Sequence, residues 1–117
     1  MTYVDGFVLA VPVEKLAEYK KIARKAGAVW KEHGALQYVE CVGDDVPEGK
    51  TTSFTRAVKL KEGETVVFAY VVYKNRKHRD QVVKKVIEDP RMQMDPSSMP
   101  ADMKRMIYGG FSTMIEL

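Results

Sequence analysis

Thr65-Val66-Val67-Phe68-Ala69-Tyr70-Val71-Val72-Tyr73 decides the fold, because both of its faces are apolar or aromatic. Side chains of a strand alternate with period two, so Val66, Phe68, Tyr70 and Val72 share one side and Thr65, Val67, Ala69, Val71 and Tyr73 the other. Such a strand needs cover on both sides, which points to the centre of a sheet.

Working outward, Tyr3 to Val11 is a second strand of the same kind, interrupted only by Asp5 and stopped by Pro12. From Val13 to His33, apolar Leu16, Tyr19, Ala23, Ala26 and Trp30 recur three and four apart, which predicts a long amphipathic helix capped by Gly34. Ala35 to Val42 reads as an edge strand with one mixed face, and Phe54 to Leu60 as either a helical turn or a strand extension. Asn75 is a helix N-cap ahead of the stripe Val82, Val83, Val86 and Ile87, which ends at Asp89-Pro90. Met92 to Asp102 is an irregular loop. Ile107 to Leu117 is the last strand, with Gly109-Gly110 marking a bulge or a close backbone approach.

The order is βαββαβ. With right-handed crossovers it gives an α+β, ferredoxin-like four-stranded antiparallel sheet carrying two helices on one face, in a single domain spanning 1–117. The first and third strands are then central. Two helices cover one face only, and each large apolar side chain left in water on the other forgoes roughly 1.5–3 kcal/mol. The expected remedy is a homodimer through the sheet face, a dimeric α+β barrel.

The chain has 117 residues, 19 basic and 16 acidic, for a net charge of +3. This mixed surface does not favour a dedicated nucleic-acid binder. One cysteine, Cys41, excludes an internal disulfide and a multi-cysteine metal site, and reads as a buried thiol. No stretch approaches the ~20 apolar residues that span a bilayer, so a cytoplasmic protein without membrane association is expected.

Tyr3-Val-Asp-Gly-Phe7, Glu32-His-Gly-Ala35, Glu40-Cys-Val-Gly-Asp-Asp45, Asp89-Pro-Arg91 and Lys104-Arg-Met-Ile-Tyr-Gly-Gly-Phe111 together resemble the YbaA-like family of bacterial proteins of unknown function. The resemblance covers essentially the whole chain. It implies a dimeric α+β barrel, a fold shared with cofactor-free monooxygenases and haem-degrading enzymes, and it implies no activity of its own.

His33 and Asp5 are the candidate catalytic residues: His33 as a proton carrier, or as a helix-terminal cation favoured by the dipole, and Asp5 as an orienting or polarising group. The plainer reading of Asp5 is a carboxylate that reaches solvent at a strand end. A buried Asp5 needs a partner, for which Arg56, Lys59 and Tyr108 are candidates. Phe7, Trp30, Tyr70 and Tyr108 are expected to line a small-molecule pocket between sheet and helices. Arg76, Lys77, His78 and Arg79, with Lys74, gather at a helix start as an anion or RNA site, or as a solvated charged turn. Asp44, Asp45 and Glu48 lack the spacing of a calcium loop, and no metal or cofactor is expected. The readings are a small-molecule-binding dimer, a non-catalytic structural or regulatory dimer and an anion or RNA binder; the resemblance adds what it implies for an enzyme, cofactor-independent oxidation or isomerisation of a small organic substrate.

Overall fold

The computed structural model describes residues 1–117. Four strands, β1 (Tyr3–Pro12), β2 (Gln37–Val42), β3 (Glu64–Tyr73) and β4 (Ile107–Ser112), pair antiparallel in the order β2-β3-β1-β4. The two strands that are apolar on both faces are thus the central ones, and the sheet is the ferredoxin-like one expected. No helix is long and apolar enough to cross a membrane.

Helix α1 (Leu16–Glu32) follows a short 3-10 turn at Val13–Lys15, so the regular helix starts later than the apolar spacing suggests. Gly34, at φ +116°, ends it in the left-handed conformation that glycine adopts without steric cost. A short helix α2 (Phe54–Ala57) resolves the ambiguous segment, with Ser53 Oγ accepting from the Arg56 amide. Helix α3 (Arg76–Glu88) starts at Asn75, whose side chain accepts from the His78 amide at 2.8 Å. β4 stops at Ser112 rather than Leu117. Beyond it the chain is tied to the N-terminus through Thr2 and Thr113, whose hydroxyls lie 2.7 Å apart.

Pairing register fixes which side chains share a face. Tyr3, Asp5, Phe7, Leu9 and Val11 of β1 lie beside Tyr73, Val71, Ala69, Val67 and Thr65 of β3. This face meets α1 and α3 in one cluster around Tyr73, Val71, Val29, Val82 and Val86, and in another around Leu9, Val11, Tyr19 and Val67. On the opposite face, Val58 and Leu60, following α2, roof only the end formed by Val8, Ala10 and Val66. Phe68 and Phe111 on that face are 41% and 63% exposed. Cys41 also lies there in the open, which corrects its reading as a buried thiol. Its partner on β3 is Phe68, itself 41% exposed.

Two further features fix the frame. Glu64 and Arg105 form a bidentate pair at 2.7 and 2.8 Å, and Arg105 also donates to the Lys59 carbonyl, which ties the 90–106 connection to β3. Glu40 accepts the hydroxyl protons of Tyr19 and Tyr38, at 2.5 and 2.6 Å, and so joins α1 to β2.

Candidate functional site

Asp5 stands on the helix-covered face of β1, with its side chain only 13% exposed. It does not reach solvent as an ordinary strand-end carboxylate, and its partner is neither Arg56, Lys59 nor Tyr108. The partner is Arg79 from the first turn of α3, whose Nε lies 3.3 Å from Oδ1. The guanidinium is held from several sides: Nη2 donates to the Tyr3 hydroxyl at 3.0 Å, Nη1 to Asp80 at 3.1 Å, and the group lies 5.0 Å from the centre of the Tyr3 ring. Gly110 is opposite Asp5 on β4, where a Cβ would collide with the Tyr3 hydroxyl and with Arg79 Nη2. The close backbone approach expected of Gly109-Gly110 is therefore real at Gly110, and pairing across β4 runs on without a bulge.

Tyr73, fully buried, completes the group. Its hydroxyl accepts from Trp30 Nε1 at 3.0 Å. Burial raises the pKa of Asp5 above the ordinary carboxylate value, opposed by the Tyr73 hydroxyl and the Arg79 charge. Burial likewise pushes the Tyr73 phenol up, so this hydroxyl stays protonated. One polar atom is left over: the buried Arg79 Nε has no hydrogen-bond partner, because its proton is misaligned with the carboxylate.

The aromatic residues divide. Phe7 and Tyr108 stack at 6.4 Å on the helix-facing side of β1 and β4, with Tyr108 73% exposed, and Trp30 tilts against Tyr38 at 5.8 Å. Tyr70 does not join them. It pairs with Gly6 and points to the open face, one residue out of phase with Phe7, where it meets Phe68. On α3, Arg79, Val83 and Ile87 follow at helical spacing along one flank. They line a groove of about 300 Å³ with Asp80, Lys84 and Glu88. Arg79 reaches from that flank to Gly110 of β4.

His33 lies elsewhere. Its Nε2 is 2.8 Å from Asp89 Oδ2, and Asp89 also accepts from the amide, Nε and Nη2 of Arg91, which in turn holds Glu32. Hydrogen bonds from Arg91 first and His33 second hold the Asp89 carboxyl well below the usual range. This clamp joins the ends of α1 and α3, and no contact brings His33 to Asp5.

The basic run is not one patch. Arg79 turns inward to Asp5. The His78 Nδ1 accepts from the Lys74 amide at 3.0 Å, with its ring edge-on to Tyr73. Arg76 and Lys77 remain in solvent. Asp5, Tyr73, Arg79 and Trp30 form the connected polar group, two members of which the sequence had not marked for this place. No sequence signal pairs Arg79 with Asp5 across 74 positions, although Gly110 hinted at a close approach.

Residues 2–103 match the model of a family described as protein of unknown function (DUF1428). Over 116 residues, 99% of either chain, the sequence is 51% identical to the uncharacterized protein YbaA of Escherichia coli K12, and equally to YbaA of Shigella flexneri. Among solved structures, it resembles SnoaB, a cofactor-independent oxygenase from Streptomyces nogalater, with a TM-score of 0.59 and 12% identity over 99% of this chain and 96% of that one. It also resembles the de novo designed protein Foldit4, with a TM-score of 0.50 and 10% identity over 97% and 99%. At these identities the structural likeness concerns the fold.

Proposed function

The chain belongs to the DUF1428 family, and on that premise we propose a homodimeric, cytoplasmic, small-molecule-binding protein whose ligand sits beside Asp5, between the sheet and α3. One observation carries this reading: Arg79, which lines a groove along α3, pairs with the largely buried Asp5 carboxylate and keeps one buried N–H without a hydrogen-bond partner. A structural ion pair is expected to close its hydrogen bonds, whereas a binding site keeps some open. The exposed apolar side chains of the other sheet face, Phe68 and Phe111 foremost, support dimerisation through that face.

Native mass spectrometry of the purified protein tests the reading. The expected species is a dimer carrying a retained small molecule, and Asp5→Asn is expected to lose the molecule while keeping the dimer. A monomer, or a ligand retained equally by the variant, overturns the corresponding half.

A second reading adds chemistry. The shared fold with SnoaB and the raised pKa of Asp5 support proton transfer from the ligand to Asp5 as the first step of a cofactor-independent oxidation or isomerisation. His33, tied to Asp89 and remote from Asp5, has no part in it. Under this reading Asp5→Asn abolishes turnover of a substrate and His33→Ala leaves it within about threefold. A reversed pattern removes Asp5 as the base.

A further inference from the structure

A second groove, of about 340 Å³, runs between α1 and β2, and its charges do not balance. Lys20, Arg24 and Lys31 of α1 line it, and at about 100° per residue they fall within about 40° of one another, in one row. No acidic residue stands three or four positions from any of them, and Lys20 and Arg24, four apart, repel each other. None of the three enters an ion pair of the chain. The acid on this groove is Glu40, and it does not answer them: its oxygens are taken by the Tyr19 and Tyr38 hydroxyls at 2.5 and 2.6 Å. Burial first, and Glu40 second, push both phenols up, so they remain donors to it. The groove along α3 differs, because there Arg79 and Lys84 are balanced by Asp80 and Glu88.

The floor of the α1 groove is low. Ala23, Gly27 and Ala28 carry no long side chain, and Tyr38 lies so close on Gly27 that a Cβ there would stand 2.7 Å from its ring. Tyr38 thus forms the wall opposite the row of cations. Lys31, about two turns beyond Arg24, donates to the Leu36 carbonyl at 2.8 Å.

We propose that this groove binds a small phosphomonoester, its phosphate held by Lys20 and Arg24 and its organic part laid on Gly27, Ala28 and Tyr38. Two cations one turn apart and without an acid match a phosphate monoester, which carries close to two negative charges above its second pKa of about 6. A carboxylate brings only one. Arg24 supplies the planar fork that takes two phosphate oxygens together, and Lys20 a point charge beside it. The site lies along β2, at the opposite edge of the sheet from β4, toward which Arg79 reaches, so its test is independent of the ligand proposed beside Asp5.

Isothermal titration calorimetry of the full chain with phenyl phosphate, inorganic phosphate and benzoate, at about pH 7.5 so that the phosphates are doubly charged, decides the matter. Phenyl phosphate is expected to bind about fivefold or more tightly than benzoate, which has one charge, and than inorganic phosphate, which has no ring. Arg24→Ala should weaken phenyl phosphate about tenfold, whereas Lys25→Ala, one step round the same helix with the same loss of charge, should leave it within about twofold. Both positions are exposed, so the fold tolerates either change. Equal weakening by the two variants reduces the effect to the general field of the helix and overturns the site. Benzoate binding as tightly as phenyl phosphate, or no binding by any of the three, overturns it too. Inorganic phosphate binding as tightly as phenyl phosphate overturns the organic part, and a single-stranded RNA that displaces phenyl phosphate and binds far more tightly overturns the small ligand in favour of a polyanion.

Discussion

Arg105 and Glu64 show how a single pair carries stability here. Their side chains are 14% and 10% exposed, and removing one partner leaves the other without its counter-charge at the start of β3. Arg105→Ala should cost roughly 2–3 kcal/mol in urea unfolding, somewhat less than a fully buried pair because one rim is wet. The hydrogen bonds from Arg105, ahead of any other cause, lower the Glu64 pKa below the ordinary 4.5. A carboxylate depressed in the folded state adds stability above its unfolded pKa and loses it as pH falls through the folded value. Melting temperature should therefore drop below about pH 4.5 in the wild type, and Glu64→Gln should flatten that part of the profile. Gly110→Ala is the counterpart at the site. Its methyl displaces Arg79 and Tyr3, at an expected cost of about 1–3 kcal/mol, and ligand retention in native mass spectrometry should vanish with it. At this scale the sequence is least legible. Arg76 to Arg79 look like one basic run, yet each step along a helix turns about 100°, so neighbours in sequence face different surroundings.

Among the elements, the central strands β1 and β3 are the most legible, because cover on two sides demands an apolar composition on both faces. Alternation even separates Tyr70 from Phe7 once the register is known. Segment ends are less legible: the last strand expected over Ile107 to Leu117 stops pairing with β1 at Ser112. Helix α1 shows local preference yielding to packing. Gly27 costs the helix about 1 kcal/mol relative to alanine. A Cβ there, however, would stand 2.7 Å from the Tyr38 ring, which Trp30 and Glu40 hold in place. Gly27→Ala should lower stability by about 1 kcal/mol, since overpacking outweighs the propensity gain. Chemical denaturation checks the sign: a more stable variant would show that the Tyr38 ring yields.

For the molecule as a whole, the exposed half of the sheet is the dominant unanswered surface. Val58 and Leu60 occupy the end near Val66, so a second copy would meet the end around Val4, Phe68, Tyr70, Val72 and Phe111. Under the homodimer proposal, sedimentation equilibrium at micromolar concentration should give twice the 13.3 kDa of one chain, and Phe68→Asp should give the single mass with an unchanged circular dichroism spectrum. This two-sided demand was visible in Thr65–Tyr73 from the start, whereas the roof over one end was not, because Phe54–Leu60 carries both helical and strand patterns. The one tryptophan of the chain gives the Asp5 group an optical handle. Trp30 donates its indole proton to Tyr73, whose hydroxyl opposes the rise in the Asp5 pKa, so a change at that carboxylate alters the polarity felt by the indole. Emission excited at the red edge of the spectrum would then come from one chromophore hydrogen-bonded to Tyr73, and a shift in its wavelength would follow occupancy in real time without a label.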